Sequence, residues 1–185
     1  MNRIPWGETK FYSEADFSNT SVDPFGYQAD WEQEKYEIEH SPAKEQVVQK
    51  LEEIKEKIEK LLNVNTIDEL EVKVLVFVAY SISEGYTKKI VLNAIPMAEK
   101  VKMVEYQKLL EKLYSANGRK ILYKKYTGKE LDYIPYYREI RNPLSHDILS
   151  GYISQNALLF EDETQNFSII QIIENLLSYV KNLEE

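Results

Sequence analysis

The chain has 185 residues, 43% of them hydrophobic, with no cysteine, two histidines and a net charge of −8. That length can bury a proper core. Composition excludes a disulfide framework, a thiolate metal site and a cysteine nucleophile, and it leaves no His-x-x-x-His or Cys-x-x-Cys spacing for zinc, so neither metal nor cofactor is expected. The negative charge argues against broad nonspecific nucleic-acid binding, and no apolar run approaches the ~20 residues that would span a membrane.

Residues 1–40 carry Arg3, Lys10 and Lys35 against nine acids, a net −6, together with Trp6, Phe11, Tyr12, Phe17, Phe25, Tyr27, Trp31 and Tyr36. A disordered tail rarely holds so many large aromatics. The reading is an acidic, aromatic arm that wraps the domain or a protein partner, ahead of a domain over 41–185. The opening Met-Asn-Arg-Ile-Pro-Trp-Gly-Glu lacks the apolar core of a signal peptide, so the cytoplasm is the expected location.

Ser41-Pro42 predicts a helix start, and Val47, Leu51, Ile54, Ile58, Leu61 and Leu62 repeat at helical spacing to about Asn63. Thr66-Ile67-Asp68-Glu69 reads as a capping box opening a helix to about Ala94. Its first half, Leu70 to Tyr80, is β-branched and partly alternating, as in a strand. The cap, the length and the continuation through Ile82, Tyr86, Ile90 and Val91 favour a buried helix. Glu84 within it is either a surface residue or a buried carboxylate that holds Arg138 or Arg141 in place. Met97–Ala116 is the next predicted helix, stopped by Asn117-Gly118. A short basic helix follows over Arg119–Tyr126, then Lys129–Arg141 as a helix interrupted or entered at Pro135. Residues 157–168 read as a small β-hairpin or a loop, and Ser168-Ile169-Ile170-Gln171 as a capping box for a closing helix through Ile172, Ile173, Leu176, Leu177, Val180 and Leu183. The expected fold class is all-α, a bundle of four to five main helices.

The segment 119–146 is net +4 and leads into Arg138-Glu139-Ile140-Arg141-Asn142-Pro143-Leu144-Ser145-His146-Asp147, which holds two of the four arginines and one of the two histidines. On one ideal helix Arg141 and His146 would sit about 140° apart. Pro143 lacks an N–H and disfavours the α region at Asn142. The expectation is therefore a helix ending near Arg141, Asn142 as the N-cap of a second helix over Pro143–Leu149, and His146 in its first turn, near backbone N–H groups suited to a phosphate.

Arg141-Asn142-x-x-x-His146 resembles the signature of the HEPN superfamily (higher eukaryotes and prokaryotes nucleotide-binding), small α-helical domains of which many are metal-independent ribonucleases of toxin–antitoxin, CRISPR-associated and antiviral systems. The motif covers six residues, and the helical pattern extends the likeness to about 41–185. The resemblance implies a homodimer whose two motifs form one composite site that cuts RNA to a 2′,3′-cyclic phosphate and a 5′-OH. Carried onto this chain, Arg141 binds phosphate, His146 is the general base or acid, and Asn142 assists. Arg138, Ser145 and Tyr137 are candidate substrate contacts, and the tyrosines at 133, 136 and 137 suit base stacking, an interface or the core. In members paired with a minimal nucleotidyltransferase a tyrosine stands two positions after the histidine; here it is Ile148, which disfavours that branch. The alternatives are a catalytically inactive helical interaction module, to which the aromatic arm is suited, and a nucleotide-binding sensor.

Overall fold

The structure is a computed structural model that describes residues 42–63, 67–100, 103–160 and 166–183. The acidic arm lies outside the described residues. Three long helices form the core, and the first and last of them are built by the apolar period expected of them. Helix α1 (Lys44–Leu62) buries Val47, Leu51, Ile54, Ile58 and Leu62, one stripe at 3–4 spacing. It begins two residues after Pro42, with the Gln46 Oε1 accepting from the Ala43 N–H (3.1 Å). Helix α2 (Glu69–Ala94) has 26 residues, about 39 Å of rise. Its cap is Asp68, whose carboxylate accepts from the Glu71 N–H at 3.0 Å; the helix thus starts two residues later than the Thr66 capping box would place it. Packed on several sides, α2 buries residues around most of its circumference, including Val72, Val76, Ala79, Tyr80, Tyr86, Ile90 and Val91, which is why its sequence shows no single apolar stripe.

Of the expected helix over 97–116, the described residues form α3 (Met97–Lys100) and α4 (Met103–Tyr114). Asn117-Gly118 does not stop a helix; it lies in the first turn of α5 (Ala116–Thr127), capped by Ser115 Oγ on the Gly118 N–H at 2.9 Å. A side chain at Gly118 would collide with the Lys112 carbonyl and Ser115 Oγ, so the glycine serves the tight α4–α5 corner. Gly128, at φ +73, ends α5 with its N–H on the Lys124 carbonyl, a left-handed C-terminal stop.

Of the expected Lys129–Arg141 helix, the part before Pro135 is not helical, and helical structure is entered only after that proline. Residues 131–134 have no regular structure; Pro135 disfavours the α region at Ile134, and Leu131 and Ile134 bury instead. Two phenols from the core hold this loop, Tyr80 donating to the Pro135 carbonyl (2.9 Å) and Tyr179 to that of Asp132 (3.5 Å). Tyr136 takes a left-handed conformation, φ 52. The chain then enters a π-helical turn, Tyr137–Arg141, closed by the Asn142 N–H on the Tyr137 carbonyl, and passes straight into α6 (Asn142–His146).

After α6 comes a three-stranded antiparallel meander, β1 (Tyr152–Ser154), β2 (Ala157–Leu159) and β3 (Phe167–Ser168), in the order β1-β2-β3. The expected hairpin is β2–β3; β1 adds to it through a two-residue turn with Gln155 and Asn156 both at positive φ, the geometry that favours asparagine. Helix α7 (Ile169–Asn182) closes the fold, burying Ile169, Ile172, Ile173, Leu176, Leu177 and Val180 against α1 and α2. Ser168 precedes it without a side-chain cap. The fold is all-α in its core with a small sheet attached, and no helix among the described residues is long and apolar enough to cross a membrane.

Candidate functional site

Ile140 and Leu144 are fully buried and fix the rotation of the motif segment against α2. Arg141 and Asn142 both have right-handed helical backbone (φ −62, ψ −43 and φ −65, ψ −51). The expected break at Asn142 is therefore absent: Asn142 is no N-cap, and Pro143 stands at the second position of a helix continuous with the turn before it. The π turn explains the tolerance. It widens the ladder one turn ahead of the proline, where the ring would otherwise meet the preceding carbonyls. His146 is the last residue of α6, not in a first turn. The helix end beside it presents carbonyls rather than N–H groups, so the expected phosphate cradle at His146 does not form.

Continuity restores the spacing that a break was expected to remove. Arg141 and His146 project about 140° apart. His146 is exposed, whereas Arg141 turns toward α2. Its Nη2 donates to Glu84 Oε2 at 3.3 Å, and the guanidinium lies over the rings of Tyr137 (5.1 Å) and Phe77 (5.9 Å), within cation–π range. Its Nε is buried with no hydrogen-bond partner among the described residues.

Glu84 is the centre of this arrangement. It is buried, and Tyr137 donates its hydroxyl to Oε2 at 2.8 Å. On the other oxygen, Arg119 Nη1 donates to Oε1 at 3.2 Å, and Lys88 Nζ stands 3.6 Å away. The same Arg119 nitrogen also serves the Leu113 and Tyr114 carbonyls at 2.7 and 3.3 Å, so Arg119 ties Glu84 to the end of α4. Burial alone raises the Glu84 pKa, but the Lys88 charge, the Tyr137 hydrogen bond, Arg119 and Arg141 together outweigh it and hold the carboxyl below its ordinary value. Tyr137 is shifted the other way, raised by its own burial and by its hydrogen bond to Glu84.

The expected pairing of Glu84 with Arg141 is thus present. Arg138 is exposed. Arg119 is the partner sequence reasoning missed, having counted it only among the basic residues of 119–146. It sits on α5 with Leu122 and Tyr123, all buried. An arginine three and four positions from buried apolar residues is on the core side, and a core-side arginine requires a buried acid; Glu84 on α2 was the candidate. Ser145 Oγ is committed to its own helix, donating to the Asn142 carbonyl at 2.8 Å. Tyr137 gives its hydroxyl to Glu84 and its face to Arg141, and Asn142 is half-buried. Much of the basic segment is paired locally: Lys124 with Glu130, Lys125 with Tyr126, and Lys120 over the Tyr133 ring at 4.1 Å.

The site therefore belongs to a helical bundle in which, among the described residues, the buried Glu84 carboxylate meets three cations, one of them the Arg141 guanidinium at the rim, with a histidine five residues beyond. The sequence matches no protein-family model, and no similar protein is found among curated proteins or solved structures.

Proposed function

We propose that this protein is a HEPN-type endoribonuclease acting without metal, in toxin–antitoxin or antiviral defence, with Arg141 and His146 as its reacting groups. The observation carrying this reading is the placement of Arg141, resting against Glu84 and Tyr137 yet still 27% exposed, five residues before an exposed histidine. RNA supplies its own nucleophile. A base removes the 2′-OH proton, the oxygen attacks the adjacent phosphorus, and the 5′-oxygen leaves with a proton from an acid. Histidine is suited to either proton role near neutral pH. Arginine is suited to the phosphate, since its fork is always charged and can engage two oxygens. Asn142 stands between them. The divergence of Arg141 and His146 around one continuous helix supports a site completed by a second copy of the chain.

The test is cleavage of RNA in EDTA by wild type, Arg141→Ala and His146→Ala, with the product ends analysed. Loss of cleavage in both variants and a 2′,3′-cyclic phosphate product support the reading. Wild-type activity that survives both changes ends it, and a divalent-metal requirement ends the mechanism.

A second reading, a catalytically inactive helical interaction module, is favoured by one observation. Leu70, Val74, Leu149 and Tyr152 are all exposed and lie close together, since Lys73 Nζ bonds the Leu149 and Gly151 carbonyls (3.4 and 2.7 Å). Such a patch suits a protein contact. Absence of cleavage with a partner retained through this patch would favour it.

A further inference from the structure

The Glu84 cluster has an asymmetry that cleavage chemistry alone does not require. One carboxylate faces three cations, Arg119, Lys88 and Arg141. The three cations are not equally available. Arg119 is 2% exposed and is also fixed by two carbonyls. The Lys88 side chain is 20% exposed and its Nζ sits over the Tyr114 ring at 4.6 Å. Arg141 is the most open, and its 3.3 Å bond to Oε2 is long for a charged pair.

Removing Arg141 from Glu84 leaves no orphaned oxygen. Oε2 keeps the shorter bond from Tyr137, and Oε1 keeps Arg119 with Lys88 beyond. Departure also relieves a guanidinium whose Nε is buried without a partner among the described residues. A buried donor in that state is costly.

We propose that Glu84 is a docking residue for Arg141 that hands the guanidinium to a phosphodiester: Arg141 rests on Glu84 without ligand and exchanges to the phosphate on binding, while Arg119 and Tyr137 hold the carboxylate in place. Glu84 is here a positioning residue, acting through Arg141. The proposal rests on the reading of Arg141 as the phosphate-binding group and adds what sets its position.

The test uses the full chain and two probes, inorganic phosphate and a 2′-O-methyl RNA that cannot be cleaved. Arginine Nε–H signals of wild type are followed by NMR as each probe is added. The Arg141 signal moves and that of Arg119 does not. In Glu84→Gln the competitor is gone, so the 2′-O-methyl RNA binds up to about fivefold tighter. With the guanidinium no longer held, kcat on unmodified RNA falls by about tenfold or more. A purely structural glutamate would lower the melting temperature without tightening binding. Binding that weakens in folded Glu84→Gln, an Arg119 signal that moves with that of Arg141, or no response to either probe overturns the proposal. Should Glu84→Gln not fold, the wild-type NMR titration decides. Binding through Arg141 with no cleavage of unmodified RNA fails the ribonuclease reading and leaves the exchange standing. Cleavage with an unmoved Arg141 signal does the reverse.

Discussion

Arg119→Met tests the architecture most directly, because methionine keeps the apolar stem and removes only the guanidinium. Arg119 is nearly inaccessible and donates to Glu84 and to the Leu113 carbonyl. Breaking a buried pair from one side costs about 3–5 kcal/mol. The lower end applies here, since Glu84 keeps Tyr137, Arg141 and Lys88. The Leu113 carbonyl lies in the last turn of α4, without an intrahelical donor to replace Arg119, and adds about 1 kcal/mol. The expected loss is about 4 kcal/mol, or a melting temperature lower by about 8–16 °C for a chain of this size. Urea unfolding followed by circular dichroism measures it. The double variant Glu84→Leu/Arg119→Met should exceed the sum of its singles in stability by about 2 kcal/mol, because it removes the buried charge along with its partner. A single-variant loss under about 1 kcal/mol, or strict additivity, would refute the claim that this pair is internal and coupled.

Tyr137→Phe deletes the 2.8 Å bond to Glu84 Oε2 and should cost about 1.5 kcal/mol, measured by the same unfolding; no change would mean that the phenol contributes only its ring. Glu84 has a lowered pKa in the folded chain, so at acid pH the unfolded chain binds more protons and stability rises with pH. Its contribution is complete above about pH 4.3 and is lost as pH falls through the folded value. Urea midpoints between about pH 3 and 6 should therefore fall less steeply for Glu84→Gln than for wild type; parallel curves would count against the ion-pair network. Gly151→Ala places a Cβ against the Leu159 carbonyl and Phe160 at a backbone φ of +70. It should cost about 2 kcal/mol or more, and an unaltered denaturation midpoint would show that the meander yields.

Periodicity made α1 and α7 legible, because each packs one stripe and their apolar residues recur at 3–4 spacing. The length of α2 and its continuation through Ile90 and Val91 decided correctly against its strand-like run from Leu70 to Tyr80. Long-range terms were not legible. The chain passes through Pro143 helically because a hydrogen-bond shift one turn earlier makes room, and nothing local to Asn142-Pro143 encodes that. Asn117-Gly118 carries a strong stop signal by composition, yet the corner with Lys112 put it at a helix start. The union of Glu84 with Arg119 spans 35 residues and follows only from the packing of α5 on α2. Of the candidate site, the Arg141–Glu84 contact was legible, whereas the direction of His146 was not, since it depends on whether the helix breaks.

That direction decides how many chains make a site. Ile140 and Leu144 are buried and pin the segment's rotation. With Leu144 facing the core, His146 lies about 160° away around the axis, and Arg141 flanks the buried face at about 60° from Leu144. Turning His146 toward Arg141 would expose both buried side chains, at a cost of about 1.5–3 kcal/mol for each. The helical twist that keeps them apart is therefore held by the core itself. On the proposed ribonuclease reading, a phosphate that meets an arginine and a histidine would be met by those of two chains. Cleavage then depends on assembly: the rate per chain should rise with protein concentration through the dimerisation range and level off above it, in step with the dimer fraction measured by analytical ultracentrifugation. A rate per chain that stays constant while the protein is monomeric would locate both groups in one chain and refute the composite site.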